Sequence, residues 1–467
     1  MTPEMYDLLI VGSGSAAFAA GIRARDLGAA VALCESGTIG GTCVNVGCVP
    51  SKAMLAAADL YHRAGHSPFP GVATSSGSLD LAALVGSKDE LVATMRADKY
   101  EGLAEEYGFA LLRGRGRFTG PASFECDGRE VGADQFLVAT GASASIPPIP
   151  GLEDAGYLTS TTALELKDVP ASMVVIGANA VGLEMGQLFL HLGSHVTFLE
   201  ALPRIAPFEE PEISGVLAKV LHDEGAEVFA GVTVTRVERE GDLRVVTFER
   251  DGRRQRLEAE QVLIATGRRP NTADLGLDAA GVQLTERGAV QVDGFMGTTN
   301  RRVWAAGDVT GSPQFVYVAA AQGSIAADNA IGKVGRSFDD TALPRVTFTS
   351  PQIASVGMTA EEGAAAGLVV DSRTLELGAV PRAIVNRDTR GLVKLVAEEG
   401  SGLILGIHVM AEGAAEVILA GIYAVKQRMT VADLAEAWAP YLTMAEGLKL
   451  AAQTFTRDVS KLSCCAA

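Results

Sequence analysis

The first thirty-five residues contain the pattern that most restricts how this chain can fold. A short apolar run at Tyr6–Val11 is typical of a buried parallel strand, and the turn Gly12-Ser-Gly-Ser-Ala-Ala17 follows it. The glycines of such a turn permit a tight bend and close approach of a pyrophosphate, and the small last residue lets a helix pack on the strand. After a helix-like stretch, a second strand at Ala30–Cys34 leads to an acid placed to bind a ribose hydroxyl. This order predicts a dinucleotide-binding unit with cofactor contacts at Gly12, Gly14, Ala17 and Glu35.

A second unit of the same kind begins with the strand-like run Met173–Ile176. The turn that follows, Gly177-Ala-Asn-Ala-Val-Gly182, has Asn179 in place of the middle glycine, which normally lets the backbone approach phosphate. Because Asn tolerates left-handed backbone angles better than most residues, we expect the turn to form, with Gly177 and Gly182 at the cofactor. The next strand ends at Glu200, an acid that suits the free ribose hydroxyl of NADH and repels the 2′-phosphate of NADPH. Arg204 lies close behind and offsets part of that repulsion.

Composition narrows the class of protein. The chain has 467 residues, of which 48% are hydrophobic and 20% charged, so it is expected to be globular and to have more than one domain. A net charge of −17 argues against nucleic acid or an anionic membrane as a partner. We expect a cytoplasmic protein, because the sequence shows no signal peptide, no apolar run of membrane-span length and only six cysteines. Two of these, Cys34 and Cys126, are assigned to packing.

Cys43 and Cys48 lie five residues apart in Gly40–Lys52, a Gly-rich stretch that leads into an Ala-rich, helix-like run. A helix N-terminus favours a thiolate. Residues five apart on an ideal helix are separated by roughly 8–9 Å, from the rise and radius of the helix. A disulfide needs Cα atoms within about 7 Å, so a pair that closes requires a bend, which Gly47 and Pro50 permit. Taken alone, the pair fits a redox centre, two buried cysteines or half of a metal site.

A dinucleotide unit followed directly by Gly40-Gly-Thr-Cys-x4-Cys-x-Pro-Ser-Lys52 resembles the flavin-dependent pyridine nucleotide–disulfide oxidoreductases, and the resemblance extends over nearly the whole chain. It implies an α/β fold with two Rossmann-like domains, which bind FAD and NAD(P), and a C-terminal α+β dimerisation domain. The implied bounds are 1–150 and 272–338 for the FAD domain, 151–271 for the NAD(P) domain and 339–467 for the dimerisation domain.

The resemblance also implies chemical roles for individual residues. Cys43 becomes the thiol that faces the substrate, Cys48 the thiol beside the flavin, and Lys52 a neighbour of the flavin's reactive nitrogen. Glu184 would pair with Lys52, with a solvated helix position as the alternative. Asp308 would bind the ribityl chain of FAD, with a helix N-cap as the alternative. The other cofactor-binding positions implied are Gly41, Thr42, Thr140, Gly141 and Gly267.

The C-terminal third departs from the members of this family that reduce organic disulfides. Those that act on glutathione or lipoamide carry His-Pro-Thr-x-x-Glu, in which His is the acid–base, whereas this chain reads Tyr441-Leu-Thr-Met-Ala-Glu446. A phenol with a pKa of about 10 is a poor proton shuttle at pH 7, so an organic disulfide is disfavoured as substrate. The chain ends Ser463-Cys464-Cys465-Ala-Ala467. A direct bond between the two cysteines would close a strained ring, so they suit a soft metal better. Two tail thiols without a role are the alternative.

Tyr441, the tail pair and the first cysteine pair together resemble the mercuric reductases of that family. The resemblance implies that Cys464 and Cys465 take Hg(II) from small-thiol complexes and pass it to Cys43 and Cys48 of the other subunit of a homodimer. NAD(P)H and FAD would reduce it there to Hg(0), and Tyr157, Tyr441 and Glu446 would complete the site. We expect activity with both NADH and NADPH. Two alternatives stay open: a dihydrolipoamide dehydrogenase-like reductase with another substrate, and a protein that sequesters Hg(II) or Cu(I) without turnover.

Overall fold

The structure is a computed structural model and describes residues 5–461. Its strands, in chain order, are β1 (Met5–Val11), β2 (Val31–Glu35), β3 (Ala110–Arg113), β4 (Gly116–Gly120), β5 (Ser123–Cys126), β6 (Arg129–Val138), β7 (Ala142–Ala144), β8 (Ser172–Ile176), β9 (His195–Glu200), β10 (Glu227–Ala230), β11 (Thr233–Glu240), β12 (Leu243–Arg250), β13 (Arg253–Ala259), β14 (Gln261–Ile264), β15 (Arg268–Pro270), β16 (Val303–Ala305), β17 (Pro344–Thr347), β18 (Gln352–Gly357), β19 (Val370–Glu376), β20 (Leu392–Glu398) and β21 (Ile404–Ala411).

The α-helices are α1 (Ser15–Asp26), α2 (Gly41–Asn45), α3 (Cys48–Gly65), α4 (Leu81–Arg96), α5 (Gly102–Glu106), α6 (Leu152–Ala155), α7 (Ser160–Ala163), α8 (Ala180–His191), α9 (Pro211–Asp223), α10 (Val316–Ala330), α11 (Ala360–Ala365), α12 (Pro381–Asn386), α13 (Ala414–Lys426), α14 (Val431–Glu436) and α15 (Glu446–Gln453). A π-helical turn joins α4 to α5, and short 3₁₀ turns occur at Asp308–Thr310, Leu377–Ala379 and Val459–Lys461. Within residues 5–461, no helix is both long enough and apolar enough to cross a membrane.

The chain forms two compact units. Unit 1 comprises residues up to 53, 83–146 and 267–339, and unit 2 comprises 54–82, 147–266 and the residues from 340 onward.

Unit 1 is built on a sheet of order β3-β2-β1-β6-β5-β4, to which β16 adds by pairing with β6. Strands β1, β2, β3, β6 and β16 are parallel, and both faces of β1 are buried. Leu8 and Ile10 pack in one apolar cluster and Leu9 and Val11 in another, which explains the unbroken apolar run at the start of the sequence. On the face of the sheet that carries Leu8 and Ile10, α10 packs directly against α1. The two helices are so close that a side chain on Gly323 would overlap the backbone of Ala16.

Unit 2 contains a parallel sheet of order β10-β9-β8-β14, with α8 following β8, and an antiparallel sheet of order β11-β12-β13. Its C-terminal part is a five-stranded antiparallel sheet of order β17-β18-β21-β20-β19, whose core also includes α13 and α15. The α/β fold class expected from the sequence, with two βαβ dinucleotide units and a C-terminal α+β part, is confirmed.

Candidate functional site

The loop between β1 and α1 has no room for a side chain at its first residue, Gly12. Gly12 has a φ of +107°, and a Cβ there would overlap the carbonyl oxygen of Ala139. A Cβ on Gly41 would lie 2.6 Å from the Cα of Gly14, so the α2 segment approaches the loop as closely as two backbones can. Since the first N–H groups of a helix attract anions, this glycine-lined start of α1 is suited to a pyrophosphate. Ala17 is fully buried in α1, as the small third position requires.

Glu35, at the end of β2, has a fixed carboxylate. Its two oxygens accept hydrogen bonds from the hydroxyl of Ser13 at 2.6 Å and the backbone N–H of Gly37 at 2.7 Å. The Ser13 carbonyl in turn accepts the N–H of Gly40 at 3.1 Å, which ties the loop to the α2 segment. The acid therefore lies at the carboxyl end of the parallel strands, where a ribose is bound in such folds.

Asp308 follows β16 at the start of a 3₁₀ turn. The N-cap position of this turn is occupied by Gly307 and not by Asp308, so the N-cap alternative is wrong. Burial raises the pKa of Asp308, and the charge of Arg268, whose Nε lies 3.8 Å from the carboxylate, lowers it. Gly307 just before it has a φ of +81° and donates its N–H to Gln322 of α10 at 2.8 Å. A partly buried carboxylate with one arginine beside it is well suited to accept hydrogen bonds from hydroxyl groups of a ligand.

Two glycine-containing segments of unit 1 are bound together by hydrogen bonds. The Thr140 hydroxyl donates to the carbonyl of Asn271 at 2.6 Å, and the Asn271 amide donates back to the Thr140 carbonyl at 2.9 Å. The backbone N–H of Asn271 also reaches Gly141 at 2.9 Å, and Arg268, next to Gly267, donates to the carbonyl of Ala142. These contacts fix the backbone around Thr140, Gly141 and Gly267. The glycine cradle and the placed carboxylates of unit 1 fit FAD.

The cysteine pair spans a break between two helices. Helix α2 ends at Asn45 and α3 begins at Cys48, which confirms the bend expected at Gly47. A Cβ on Gly47 would lie 2.9 Å from the Thr42 carbonyl oxygen, so the turn is tight. Cys43 and Cys48 are free thiols, half-buried and hydrogen-bonded to each other.

The groups around Cys43 change its pKa in both directions. The hydrogen bond with Cys48 contributes most, followed by burial and the charge of Cys48, and together they raise the pKa of Cys43. The backbone N–H of Cys48 and the charge of Lys52 act in the opposite direction. Cys43 therefore holds its proton more tightly than an ordinary cysteine, and Lys52 is the cation that partly offsets this effect.

Tyr100 was not identified from the sequence. It packs edge-on against Phe18, with ring centroids 4.8 Å apart, and a Cβ on Gly40 would lie 3.2 Å from its ring. Burial raises the pKa of Tyr100, a hydrogen bond with Ser15 lowers it, and the charges of Cys43 and Cys48 raise it further. Its phenol thus lies in the electrostatic field of the cysteine pair. A single tyrosine in a helical stretch carries no motif, so only the fold could place it here.

The second dinucleotide turn differs from the sequence-based expectation at one residue. Gly177 has a φ of +100°, and a Cβ on Gly182 would overlap the Gly177 carbonyl, so both glycines are required by the backbone. Asn179 is extended, with φ −106° and ψ −171°, and has no need of left-handed angles. The turn forms as expected, but the reason inferred for it was wrong: the middle position accepts any L residue on backbone grounds.

Glu200 repeats the arrangement of Glu35. Its carboxylate is 7% exposed and accepts the N–H groups of Ala178 at 2.7 Å and Leu202 at 2.8 Å. Arg204 donates to the carbonyls of Pro207 at 2.8 Å and Glu209 at 3.1 Å. The arginine expected to offset the repulsion of a 2′-phosphate is therefore engaged by its own loop.

The remaining predicted residues lie in unit 2 or beyond the described chain. Glu184 is 6% exposed and accepts the N–H of Phe348 at 2.9 Å, so the solvated alternative for it is wrong. Tyr157 donates to Glu153 at 3.3 Å, and Tyr441 is exposed. Glu446 is buried at the start of α15, and within residues 5–461 its Oε2 atom has no hydrogen-bond partner. Cys464 and Cys465 lie outside the described residues.

Comparisons with known proteins agree over almost the full chain. The family described as pyridine nucleotide-disulphide oxidoreductase matches residues 6–323, and its dimerisation domain matches 343–452. Proteins named mercuric reductase are 52% identical in Streptomyces lividans, over 99% of this chain and 98% of that protein, and 50% identical in Bacillus cereus, over 99% and 73%. The solved structure of the HOCl-induced flavoprotein disulfide reductase RclA from Escherichia coli is 30% identical, with a TM-score of 0.86, and covers 97% of this chain and 100% of that one.

Proposed function

This chain belongs to the mercuric reductases of the pyridine nucleotide–disulphide oxidoreductase family, and on that premise we propose that it reduces Hg(II) to Hg(0) for mercury detoxification. NAD(P)H gives up a hydride, two electrons reach Hg(II), and a proton, NAD(P)⁺ and elemental mercury are the products. The observation that carries the proposal is the pair of free, hydrogen-bonded thiols at the break between α2 and α3. We place the protein in the cytoplasm, which the small number of cysteines in the sequence favours.

Unit 1 would hold FAD. Gly12, Gly14 and Gly41 leave backbone room for the pyrophosphate at the start of α1, and Glu35 is placed for a ribose hydroxyl. Asp308 is placed for the ribityl hydroxyls, and the tied segments at Thr140, Gly141 and Gly267, with Thr42, border the same cofactor. FAD, when bound, supplies the two-electron transfer between the nicotinamide and the thiol-bound metal.

Cys43 and Cys48 bind the substrate. Hg(II) is soft and prefers two sulfur ligands, so the pair displaces two small thiols from their mercury complex. Each cysteine gives its proton to a departing thiol, and two new sulfur–mercury bonds replace the two that break. Two electrons then convert the bound metal to Hg(0), which leaves both cysteine sulfurs as thiolates. The backbone N–H of Cys48 and the charge of Lys52 stabilise the negative charge that returns to Cys43.

Side chains of unit 2 complete this proposal. Glu184 is assigned to pair with Lys52, and its burial together with the Phe348 N–H contact supports a structured role rather than a surface one. Tyr157 and Tyr441 are assigned to shape the metal site and to donate hydrogen bonds to it. Glu446 presents a buried oxygen that lacks a partner within the described chain.

The chain is a homodimer through its dimerisation domain, and we assign Cys464 and Cys465 to deliver Hg(II) from small-thiol complexes to the partner's Cys43 and Cys48. This assignment rests on the sequence of the tail. For the nicotinamide cofactor, Gly177 and Gly182 would form the phosphate-binding turn and Glu200 would bind a ribose hydroxyl. We expect both NADH and NADPH to serve as donors.

The deciding experiment measures NAD(P)H oxidation by the FAD-loaded protein with Hg(II) and an excess of small thiol, beside a lipoamide control. We expect NAD(P)H to be oxidised in the sample with Hg(II) and not in the sample with lipoamide. One mole of mercury vapour should be released for each mole of NAD(P)H consumed. Turnover of lipoamide without turnover of Hg(II) would identify a dihydrolipoamide dehydrogenase-like reductase instead. Binding of Hg(II) without NAD(P)H oxidation would identify a sequestering protein.

A further inference from the structure

Three side chains that no part of the proposed reaction uses meet in unit 2. His62 lies near the end of α3, His191 is the last residue of α8, and Glu224 immediately follows α9. One potential ligand atom from each lies within 4.8 Å of the other two. The side chains of His191 and Glu224 are only 4% and 7% exposed, and His62 is half-buried.

The two imidazoles are stacked on each other, and one of them contacts the carboxylate of Glu224. The rings of His62 and His191 are stacked with centroids 4.1 Å apart, and Nε2 of His191 lies 3.2 Å from Oε2 of Glu224. On its other face, His62 is stacked against His66 at 4.3 Å, and Nδ1 of His66 is 2.7 Å from the carbonyl of His62. Ligand atoms of a tetrahedral Zn²⁺ site lie about 3.3–3.5 Å apart, from Zn–N distances of about 2.0–2.1 Å. To reach that spacing, the half-buried His62 ring would have to rotate out of the stack, so that one of its nitrogens turns toward the other two ligand atoms.

Neighbouring polar side chains hold the carboxylate as they do in metal sites. Arg390 donates to Oε1 of Glu224 at 2.8 Å, and Gln187 donates to Oε2 at 2.9 Å. Outer contacts of this kind orient a metal ligand and are a regular part of protein metal centres. Because Arg390 binds Oε1, a cation would be bound through Oε2, which lies 3.2 Å from Nε2 of His191 and also accepts the Gln187 amide.

The charge states of His62 and Glu224 suit metal ligation at neutral pH. Burial and the neighbouring His191 lower the pKa of His62 to about 4, so its ring is neutral and has a free lone pair at pH 7. Burial alone would raise the pKa of Glu224, but hydrogen bonds from His191 and Gln187 and the charge of Arg390 lower it overall. The carboxylate is therefore ionised.

The net charge of the side chains around the cluster favours the binding of a divalent cation. The ion pairs at this cluster contain two guanidinium groups and four carboxylates, so negative charge is in excess. These groups are Arg63, Arg390, Asp59, Glu224, Asp388 and Glu412.

From this geometry, we propose that His62, His191 and Glu224 bind a divalent first-row cation of the Zn²⁺ class, with water as the fourth ligand. Two imidazole nitrogens and one carboxylate oxygen are borderline-hard ligands, which suit Zn²⁺ rather than Hg(II). The site joins the ends of α3, α8 and α9, so the bound ion stabilises unit 2 by its own binding free energy. It is separate from the cysteine pair and does not depend on the proposed reduction of mercury.

The test is a calorimetric titration with Zn²⁺ of the FAD-loaded protein in which Cys43, Cys48, Cys464 and Cys465 are replaced by Ser, so that thiols do not compete. We expect one Zn²⁺ per chain, a rise in melting temperature on binding, and visible Co²⁺ bands that lack a sulfur charge-transfer component. His62→Gln and His191→Gln should each weaken binding at least tenfold. His195→Gln, an exposed histidine at the start of β9, is the matched control and should bind Zn²⁺ unchanged.

The buried His191 could be needed for folding, and for this reason His62→Gln, at a half-buried ring, is the deciding variant. Circular dichroism and flavin absorbance verify that each variant is folded. Zn²⁺ affinity that is unchanged in a folded His62→Gln protein, or lowered equally in His195→Gln, would overturn the site, and so would the absence of a one-to-one binding event.

Discussion

At the scale of single residues, Gly41 shows how the predicted FAD site depends on backbone alone. A Cβ added there would lie 2.6 Å from the Cα of Gly14, and neither backbone can yield easily. We expect Gly41→Ala to destabilise unit 1 by about 1–3 kcal/mol, as overpacking does, and to yield protein with reduced flavin content. The ratio of flavin to protein absorbance and the melting temperature measure both effects.

Gly86→Ala is the matched control for that substitution. Gly86 lies inside α4, and a Cβ there meets no atom within 4 Å. The change should stabilise the helix by about 0.5–1 kcal/mol and leave flavin content unaltered. Equal flavin content in Gly41→Ala and Gly86→Ala would show that the close approach at Gly41 does not shape the FAD site.

Cys48 and Lys52 change the pKa of Cys43 in opposite directions. The hydrogen bond and charge of Cys48 raise the pKa of Cys43, and the charge of Lys52 lowers it. In Cys48→Ala, alkylation of Cys43 by iodoacetamide should therefore begin at lower pH than in the native pair. In Lys52→Met it should begin at higher pH, because a stabilising cation has been removed. Peptide mass spectrometry across a pH series follows the reaction, and shifts in the same direction would contradict this account.

At the scale of elements, the turn from β8 to α8 requires glycine at two positions, Gly177 and Gly182, but not at Asn179, where the family has its middle glycine. Asn179 is extended, so Asn179→Gly should leave the melting temperature unchanged and lower the KM for NAD(P)H, because it opens space near the phosphates. Gly182→Ala should abolish nucleotide binding and destabilise unit 2, because its Cβ overlaps the Gly177 carbonyl. Steady-state kinetics and thermal melting test the pair; a KM raised by Asn179→Gly would mean that the side chain itself contacts the nucleotide.

The sequence predicted elements and turns better than it predicted contacts. Spacing alone located both βαβ units, because glycine, small-residue and acid positions recur at distances set by the fold. It could not show that Asn179 is extended, since backbone angles are not encoded in one residue type. It could not find Tyr100, or the meeting of His62 with His191, because those contacts join segments far apart in the chain and form no local pattern.

We expect the acid that ends β9, Glu200, to influence the preference between NADH and NADPH, and its contacts make this testable. Both oxygens of Glu200 accept backbone N–H groups, which partly neutralises its charge and is consistent with use of NADH and NADPH. Glu200→Gln removes the remaining charge while keeping one acceptor oxygen. We expect the ratio of kcat/KM for NADPH over that for NADH to rise several-fold. A fall in that ratio would show that the acid does not repel the 2′-phosphate.

At the scale of the whole molecule, unit 2 presents a surface suited to a second copy of the chain. Leu419 and Tyr423 on α13 are half exposed, and Trp438 is fully exposed, all within the segment that matches the dimerisation domain. Tyr441 lies three residues beyond Trp438 and is also exposed. A dimer that covers these side chains would bring Tyr441 of one subunit toward its partner, which the proposal of a site shared between subunits requires.

Mixed dimers separate delivery between subunits from delivery within one. One chain carries Cys43→Ala and Cys48→Ala with its tail intact, and the other carries Cys464→Ala and Cys465→Ala with its active pair intact. Two affinity tags isolate the mixed species. If the tail serves the partner, the mixed dimer has one complete centre and should reduce thiol-complexed Hg(II) at about half the native rate.

The two parent homodimers are the controls with which the mixed dimer is compared. The active-pair variant should be inactive with every mercury species, and the tail variant should be slow only with thiol-complexed Hg(II), since weakly ligated mercury needs no transfer between thiol pairs. If the tail served its own subunit, the mixed dimer would have no complete centre and would be no faster than the tail variant. Equal losses of the tail variant on both forms of mercury would remove the delivery role, because relay between thiol pairs matters only when strong ligands must be displaced.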